Sequence, residues 1–204
     1  MKHASPVPPP LGQCVDDDWL EHWLPLVREH TRERCVLELG CGKGRDTARL
    51  VAAGLRVVAT DRSSAALAQA HRALPGGTFI ENDLRSPLPV ELSDVGAVVA
   101  SLCLHYFDWS TTRAIVGRLH ACLAPGGLLV CRVNSSGDLH YGATGHALIE
   151  PGYFRVGEET KRFFSRVDLL TLFDDGWSIV ALEEQTIDRY EQPKVVWELI
   201  ALAI

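Results

Sequence analysis

Short apolar runs alternate with amphipathic segments over most of the chain. Runs of about four to eight mostly apolar residues are typical of buried strands. They predict strands at Cys35–Leu39, Arg56–Thr60, Thr78–Glu81, Val95–Leu102 and Leu128–Val133. Between them, apolar residues at helical spacing predict helices at Arg45–Ala53, Ser63–Leu74 and Ser110–Leu123. Such an alternation predicts an α/β fold in which helices cover both faces of a parallel sheet.

Both ends of the chain depart from this alternation. Residues 1–15 are rich in proline and show no period, so we interpret them as a flexible tail. Apolar residues at helical spacing predict an N-terminal helix over 16–32, which Pro25 must kink or divide. At the other end, Trp177–Ile187 and Lys194–Ile204 flank a brief polar loop, which predicts an antiparallel pair. The last run is almost wholly apolar, as strands buried on both faces are.

These elements predict one domain over 16–204. Its architecture is a three-layer α/β sandwich around a mostly parallel, seven-stranded sheet with an antiparallel C-terminal strand. Residues 134–164 interrupt the pattern with glycine, histidine and tyrosine in no clear period. Long irregular inserts in compact domains are usually functional, so we expect this insert to contribute to a site.

Composition narrows the range of functions. The 204 residues include 20 Lys plus Arg and 26 Asp plus Glu, which gives a net charge of −6 at pH 7. An acidic protein lacks the field that gathers phosphate backbones, so we expect no nucleic-acid partner. No run reaches the ~18 apolar residues of a membrane span, and the first residues lack the apolar core of a signal peptide. We therefore expect a cytoplasmic protein without a membrane partner.

Cysteine and histidine spacing gives no indication of a metal site. The six cysteines form no C-x-x-C pair and mostly lie within apolar runs, so we interpret them as small buried apolar residues. His140 and His146 lack an evident third ligand, so no metal is predicted.

The segment Val36–Gly44, VLELGCGKG, carries the most informative pattern. Here a predicted strand ends in Gly40, Gly42 and Gly44 and a helix follows. Glycines allow a left-handed backbone and the close approach of a ligand. In open parallel sheets, ligands bind beyond the carboxyl ends of the strands. Asp61 ends the second strand at that edge, where a carboxylate can accept both hydroxyl hydrogens of a ribose.

A further acid follows the third strand in Asn82–Leu84, where Asp83 can accept a hydrogen bond from an adenine amino group. A nicotinamide-binding fingerprint requires glycine or alanine three positions after its second glycine. Arg45 occupies that position and is too bulky for the close contact between helix and strand. An NAD(P)-dependent oxidoreductase is therefore the least favoured interpretation.

In this order the motifs resemble those of class I S-adenosylmethionine-dependent methyltransferases, whose fold is Rossmann-like. The stretch Val36–Asp61 is similar to the family's glycine motif and ribose-binding acid, and Ala97–Val133 resembles its later motifs. The C-terminal hairpin matches the seventh strand that these enzymes insert antiparallel. The run Gly44–Thr47 looks closest to the small-molecule branch, which includes the thiopurine and tellurite-resistance methyltransferases.

The resemblance implies S-adenosylmethionine as the cofactor and suggests how it is held. Near the glycine motif, Glu38 supports the ammonium group and the loop passes beside the methionine portion, while Asp61 holds the ribose. Asp83 and Leu84 read the adenine, and the end of the fourth strand lies near the sulfonium. The expected cofactor-binding residues are Glu38, Gly40, Cys41, Gly42, Asp61, Arg62, Asp83, Leu84 and Ser101.

The methyl acceptor is expected between the fourth strand and the insert. His105 titrates in a range suited to proton removal near neutrality, and Tyr106 can orient an acceptor. From the insert, Tyr141 and Tyr153 are expected to shield the methyl group. Arg162 or Arg155 is expected to hold an acidic acceptor, and Arg162 is expected to face His105 and Tyr106 across the sulfonium.

The sequence favours methyl transfer to a small molecule and leaves alternatives open. A methyltransferase that acts on protein or nucleic acid shares the same cofactor motifs, and so does a protein that binds S-adenosylmethionine without catalysis. The acceptor and the oligomeric state stay undetermined at this level.

Overall fold

The computed structural model describes residues 18–89, 94–188 and 190–204. The α-helices are α1 (Trp19–Thr31), α2 (Arg45–Ala52), α3 (Ser64–Ala73), α4 (Trp109–Cys122) and α5 (Arg166–Leu172). The first strands are β1 (Val36–Leu39), β2 (Val57–Asp61), β3 (Thr78–Glu81), β4 (Val95–Ser101) and β5 (Leu123–Asn134). The others are β6 (Ala147–Glu150), β7 (Tyr153–Val156), β8 (Glu159–Arg162), β9 (Trp177–Ile187) and β10 (Lys194–Ala203). A short 3₁₀ helix, Leu104–Tyr106, follows β4.

Seven strands form one sheet in the order β3-β2-β1-β4-β5-β10-β9. The pairs among β1 to β5 are parallel, whereas β10 runs antiparallel to both β5 and β9. This confirms the predicted mostly parallel, seven-stranded sheet with an antiparallel C-terminal strand. The strand order reverses between β1 and β4, and ligands of such sheets bind at this switch point, outside the carboxyl ends of the strands.

Two apolar cores, one on each face of the sheet, make the three layers. On one face, α1 packs Leu20 and Val27 in a core that also contains Leu50 of α2 and Leu67 of α3. The other core holds residues of α4 and α5, among them Leu119. Since both faces are covered, β4 and β10 are almost wholly buried, which explains their nearly continuous apolar sequences.

Three elements differ from the sequence-based expectations. Pro25 lies inside one continuous helix, α1. Its ring removes the hydrogen bond to the carbonyl of Glu21, and both residues are exposed, so water can satisfy that oxygen. Strand β5 begins at Leu123, five residues before the prediction. The insert is not irregular, because β6, β7 and β8 form a small antiparallel sheet.

A buried polar cluster fastens α1 to the sheet. The indole nitrogen of Trp23 donates to Glu198 over 3.2 Å, and Arg132 lies 3.6 Å from the same carboxylate. The indole nitrogen of Trp19 donates to Asp46 over 3.2 Å. The cluster therefore joins the N-terminal helix to β5, β10 and α2.

No helix within 18–89, 94–188 or 190–204 is both long and apolar enough to cross a membrane. The predicted tail, 1–15, and Cys14 within it lie outside the described residues. The described cysteines are free thiols, and Cys41, Cys103, Cys122 and Cys131 are buried.

Removal of Val195–Ile204 is expected to abolish soluble folding, since it takes β10 from between two neighbours and leaves their backbone groups unpaired. Deletion of Ile204 alone is the control, because this residue lies beyond β10 and is exposed. Soluble yield and thermal melting measure both variants. A cooperative melt of the longer deletion would show that the strand is dispensable.

Candidate functional site

A cavity of about 530 Å³ opens at the carboxyl edge of the sheet, beside the switch point. Its size lies within the range of roughly 300–1,000 Å³ that small-molecule sites occupy. The cavity brings together seven residues that the sequence analysis selected: Gly40, Asp61, Arg62, Asp83, Leu84, Tyr106 and Tyr153. It is also lined by Asn82, Arg85, Leu102, Cys103, Phe107, Asp108, Thr111, Glu158, Glu159 and Thr160.

The glycine loop between β1 and α2 forms one wall. Gly40, Gly42 and Gly44 all have left-handed backbone, with φ of 62°, 55° and 83°. A Cβ at position 40 would lie 2.5 Å from Cβ of Cys103, whereas one at position 42 would meet nothing within 4 Å. Gly40 therefore allows the loop to pack against the segment after β4, and Gly42 serves mainly the turn.

The Asp61 carboxylate holds this loop in place. Its Oδ2 accepts a hydrogen bond of 2.8 Å from the backbone N–H of Gly42, and its Oδ1 accepts one of 2.8 Å from Ser63. Each carboxylate oxygen has further lone pairs, and Asp61 lines the cavity. The side chain can thus fix the loop and still accept hydroxyl hydrogens of a ligand.

The loop after β3 forms the opposite wall. Arg85 donates from its backbone N–H and from Nε to Asp83 Oδ1 over 2.9 and 3.0 Å. Its side-chain hydrogen bonds to Asp83 lower the pKa of that carboxyl to about 2. Asp83 is therefore ionised and shared with Arg85, a partner that the sequence analysis missed. Nearby, Oδ1 of Asn82 is buried without a hydrogen-bond partner, and Asn82 lines the cavity.

Glu38 lies behind the glycine loop and does not line the cavity. It is almost fully buried, and its Oε2 accepts a hydrogen bond of 2.6 Å from the hydroxyl of Thr47. Burial raises the pKa of Glu38 to about 8, and the nearby Asp46 and Asp61 add to the effect. A positive charge bound beside the loop would favour the ionised form.

The backbone after β4 is strained where it meets the cavity. Leu102 has a φ of 54°, and its N–H donates over 2.8 Å to the carbonyl of Arg132 on β5. A left-handed leucine costs roughly 1–2 kcal/mol, and such outliers cluster at functional sites. This turn brings Leu102 and Cys103 to the cavity wall, whereas the predicted Ser101 ends β4 outside it.

The structure does not place His105, the expected base, in the cavity wall. The imidazole is buried outside the cavity, and its Nδ1 has no hydrogen-bond partner. Burial, with Lys194 and Lys161 nearby, lowers the pKa of His105 to about 3. Burial also raises the pKa of Tyr106, so that side chain stays a neutral phenol at the cavity wall. Tyr106 can orient a ligand but is a poor source of a phenolate.

Arg162 is placed differently from the expectation as well. Its guanidinium is buried, ion-paired with Glu150, and donates to the carbonyls of Phe107 and Pro151 over 3.2 Å each. It also stacks on the Tyr153 ring, 5.1 Å from the centroid. Arg162 does not line the cavity, where an acidic acceptor was expected to meet it, and its partners join β8 to the segment after β4.

The two predicted tyrosines of the insert have separate surroundings. Tyr153 lines the cavity, and its hydroxyl lies 3.0 Å from the carbonyl oxygen of Tyr106 and 2.6 Å from Thr160 Oγ1. Tyr141 does not line it. The Tyr141 hydroxyl donates over 3.0 Å to the carbonyl of Gln192, in the loop between β9 and β10.

The remaining predicted residues of the glycine loop lie outside the cavity wall. Cys41 and Gly42 belong to the glycine loop but do not line the cavity. Within the part of the chain that the structure describes, no group of three His, Cys, Asp or Glu side chains could hold a metal ion.

Residues 36–127 match a family model described as a methyltransferase domain. A trans-aconitate 2-methyltransferase of Acidovorax sp. is 32% identical over 126 residues, which cover 58% of this chain and 47% of that protein. The chain spans about half the length of the curated relatives it matches.

Among solved structures, an S-adenosylmethionine-dependent methyltransferase of Methanosarcina mazei superposes with a TM-score of 0.75 at 20% identity, covering 88% of this chain and 97% of that one. A Burkholderia thailandensis 1,6-didemethyltoxoflavin-N1-methyltransferase, solved with S-adenosylhomocysteine, gives 0.66 at 20% identity over 92% of this chain and 81% of that one. These likenesses show that the fold is shared.

Gly40→Ala is expected to destabilise the protein by about 2–4 kcal/mol and to narrow the cavity, because the new Cβ collides with Cys103. Gly42→Ala is the matched control, since its Cβ meets open space and only the left-handed backbone costs it, roughly 1–2 kcal/mol. Urea unfolding of both variants measures the difference. Equal destabilisation would remove the close packing of Gly40 as the cause.

Glu38 is expected to make the ligand-free protein less stable as pH rises from about 5 to 8. Over this range the unfolded chain has lost the Glu38 proton, whereas the folded protein keeps it because its pKa is about 8. Folding then takes up a proton, and stability falls with rising pH. Glu38→Gln removes this contribution and keeps a partner for Thr47.

Thermal unfolding of wild type and Glu38→Gln across this pH range measures the contribution as the difference between two curves. The difference is needed because His105, whose pKa is lowered to about 3, adds an opposite dependence up to its usual 6.5. Parallel curves would contradict the buried, protonated state of Glu38.

Proposed function

We propose, from the premise that this chain carries a class I methyltransferase domain, that the protein binds S-adenosylmethionine and transfers its methyl group to a small molecule. The observation that carries the proposal is the link between Asp61 and the glycine loop beside an open cavity at the switch point. We also propose that residues 16–204 act as one domain, and that the protein works in the cytoplasm.

The cavity fits an adenosyl cofactor in both size and chemistry. Asp61 offers carboxylate lone pairs for ribose hydroxyls, and the buried Asn82 Oδ1 lacks a partner that a ligand could supply. Asp83 and Leu84 line the same cavity, which supports their proposed contact with the adenine. The cofactor brings a positive sulfonium, which suits the carboxylates of Asp61 and Asp83. Glu38 is neutral in the ligand-free protein and can ionise beside such a charge.

The cofactor supplies an electrophilic methyl group, so the protein's part is positioning and the exclusion of water. Leu102 and Cys103 form the wall behind the reacting region, and the strained turn at Leu102 fixes them there. Tyr106 and Tyr153 close the acceptor side. Since the His105 pKa is depressed to about 3, we assign no proton transfer to this histidine.

The acceptor is proposed to be small for two reasons. The insert covers the cavity with β7 and β8, which leaves a volume of about 530 Å³ for cofactor and acceptor together. The curated relatives support the same class, since they include trans-aconitate 2-methyltransferases. The net charge of −6 weighs against nucleic acid as the acceptor.

Calorimetry with S-adenosylhomocysteine and with NAD⁺ tests the cofactor, and we expect only the former to bind. Asp61→Ala is expected to weaken that binding about 30- to 1000-fold, or ~2–4 kcal/mol, since it removes a charged acceptor. The same change should lower the melting temperature, because the N–H groups of Gly42 and Ser63 lose their partner. Binding of NAD⁺ alone would overturn the proposed cofactor, and unchanged affinity in the variant would place the ribose elsewhere.

A methyl-transfer screen with labelled S-adenosylmethionine against small amines, thiols, acids and phenols tests the reaction. Transfer to any of them is expected. Tight cofactor binding without transfer to any class would favour a non-catalytic binding protein.

A further inference from the structure

The part of the cavity that faces the insert has a charge opposite to what a carboxylate acceptor would need. We call it the acceptor end, and it is lined by Tyr106, Asp108, Tyr153, Glu158, Glu159 and Thr160. Three of these residues are acids and none is basic. Across all described residues that line the cavity, acids outnumber bases five to two, and the two bases are Arg62 and Arg85.

Both cavity arginines adjoin the acids of the cofactor end, and their charges also act on Tyr106 and Tyr153 of the acceptor end. Arg85 is paired with Asp83 at 2.5 Å, and Arg62 directly follows Asp61 at the end of β2. A bound S-adenosylmethionine adds about one positive charge, so the lining keeps a negative excess after the cofactor has entered. A carboxylate in the cavity would therefore meet a net negative charge, of which Arg62 near Tyr106 offsets one unit.

Two further cations near the acceptor end, Arg162 and Lys161, are already engaged. Arg162 is buried against Glu150 and two backbone carbonyls. Lys161 lies 3.2 Å from Glu159 and neutralises part of the charge of that carboxylate. Lys161 itself does not line the cavity. Hydrogen bonds from Thr111 and Ser110 lower the pKa of Asp108, so that carboxylate stays ionised.

Hydrogen-bond polarity and aromatic surface indicate the same ligand class independently. The hydroxyls of Tyr153 and Thr160 lie 2.6 Å apart and share the Tyr106 carbonyl, so their donor capacity is largely used within the protein. The carboxylates and this carbonyl are acceptors, which suit a ligand rich in N–H donors. Tyr106 is 38% exposed, so its ring is a surface on which a cation can pack, whereas the Tyr153 ring is buried and already carries Arg162.

We infer that the methyl acceptor is a small amine, carried as an ammonium beside an apolar or aromatic group, and that Glu158 and Glu159 attract its charge. This inference rests on the proposed function and names the substrate class of the same site. It separates this chain from its trans-aconitate-methylating relatives, whose named substrate is a carboxylic acid.

The chemistry balances with the groups present. The ammonium group of the acceptor first gives one proton to a carboxylate of the acceptor end, and this proton then passes to water. The nitrogen lone pair then forms the new N–C bond while the bond from the methyl carbon to sulfur breaks, and that electron pair stays on sulfur. The methylated nitrogen carries the positive charge until it releases its next proton to water.

Binding of matched probes to the protein saturated with S-adenosylhomocysteine tests the inference without requiring turnover. The probes are phenethylamine, 3-phenylpropionate and the neutral 2-phenylethanol, with trans-aconitate as a fourth. We expect phenethylamine to bind at least about tenfold more tightly than 3-phenylpropionate, a ratio that a few partly screened charges can supply. Trans-aconitate should bind most weakly.

The double variant Glu158→Gln/Glu159→Gln is expected to lower the ratio of amine to carboxylate affinity about fivefold, with S-adenosylhomocysteine affinity unchanged within about twofold. The control, Glu29→Gln/Glu33→Gln, changes the net charge equally at exposed positions near the amino end of β1. It should leave the ratio unchanged within about twofold, since these charges lie at the opposite edge of the sheet.

Tighter or equal binding of the carboxylate would overturn the inference. An equal change of the amine-to-carboxylate affinity ratio in both double variants would also overturn it. The same holds if no amine binds to the protein saturated with S-adenosylhomocysteine. Failure of wild type to bind S-adenosylhomocysteine would instead overturn the proposed function itself, and it is seen before any amine is added.

Discussion

The hydrogen bond between the Asp61 carboxylate and the backbone of Gly42 is the contact on which the site depends. It joins the end of β2 to the loop that leaves β1, beside the point between β1 and β4 where the strand order reverses. The loop can take its left-handed course only because glycines occupy it, and Gly40 must also lie against Cys103. One carboxylate thus turns two neighbouring strand ends into one wall of a cavity.

The regions around this contact differ in how they treat charge. Behind the loop, Glu38 is buried, and its raised pKa keeps it neutral until a cation approaches. In front of the loop, Asp83 is held ionised by Arg85. Within the insert, the positive charge of Arg162 is paired with the carboxylate of Glu150. A charged residue near the site therefore indicates little about ligand preference until its partners are known.

The sequence predicted the sheet and the cofactor side of the site because both are encoded locally. Apolar runs and their spacing determine which strands are buried, and Gly40, Gly42 and Asp61 fall at strand ends in a fixed order. The left-handed turn at Leu102 could not be predicted, because leucine carries no local signal for it and the turn depends on the N–H bond to Arg132. Arg85 was missed because its pairing with Asp83 is formed within an ordinary polar loop.

The acceptor side was predicted less well because its residues acquire their roles through tertiary burial. Histidine is a residue type that often acts as a base, but burial outside the cavity keeps His105 neutral. The insert lacked a visible period because its strands are four residues long and β6 is mostly exposed, so neither face is marked by an apolar stripe.

The exposed turn between β7 and β8 has a consequence for specificity. Arg162 ends β8, where its side chain is buried and ion-paired with Glu150. Glu158 and Glu159 lie at the opposite end of the same hairpin and line the cavity. The cation therefore fixes the position of the hairpin and the acids set the charge above the acceptor. Substitutions in the turn can change which acceptor charge the cavity prefers without disturbing the contacts of Arg162, because the acids and the arginine lie at different ends of one hairpin. The insert thereby separates the residues that hold the cavity closed from those that select its ligand.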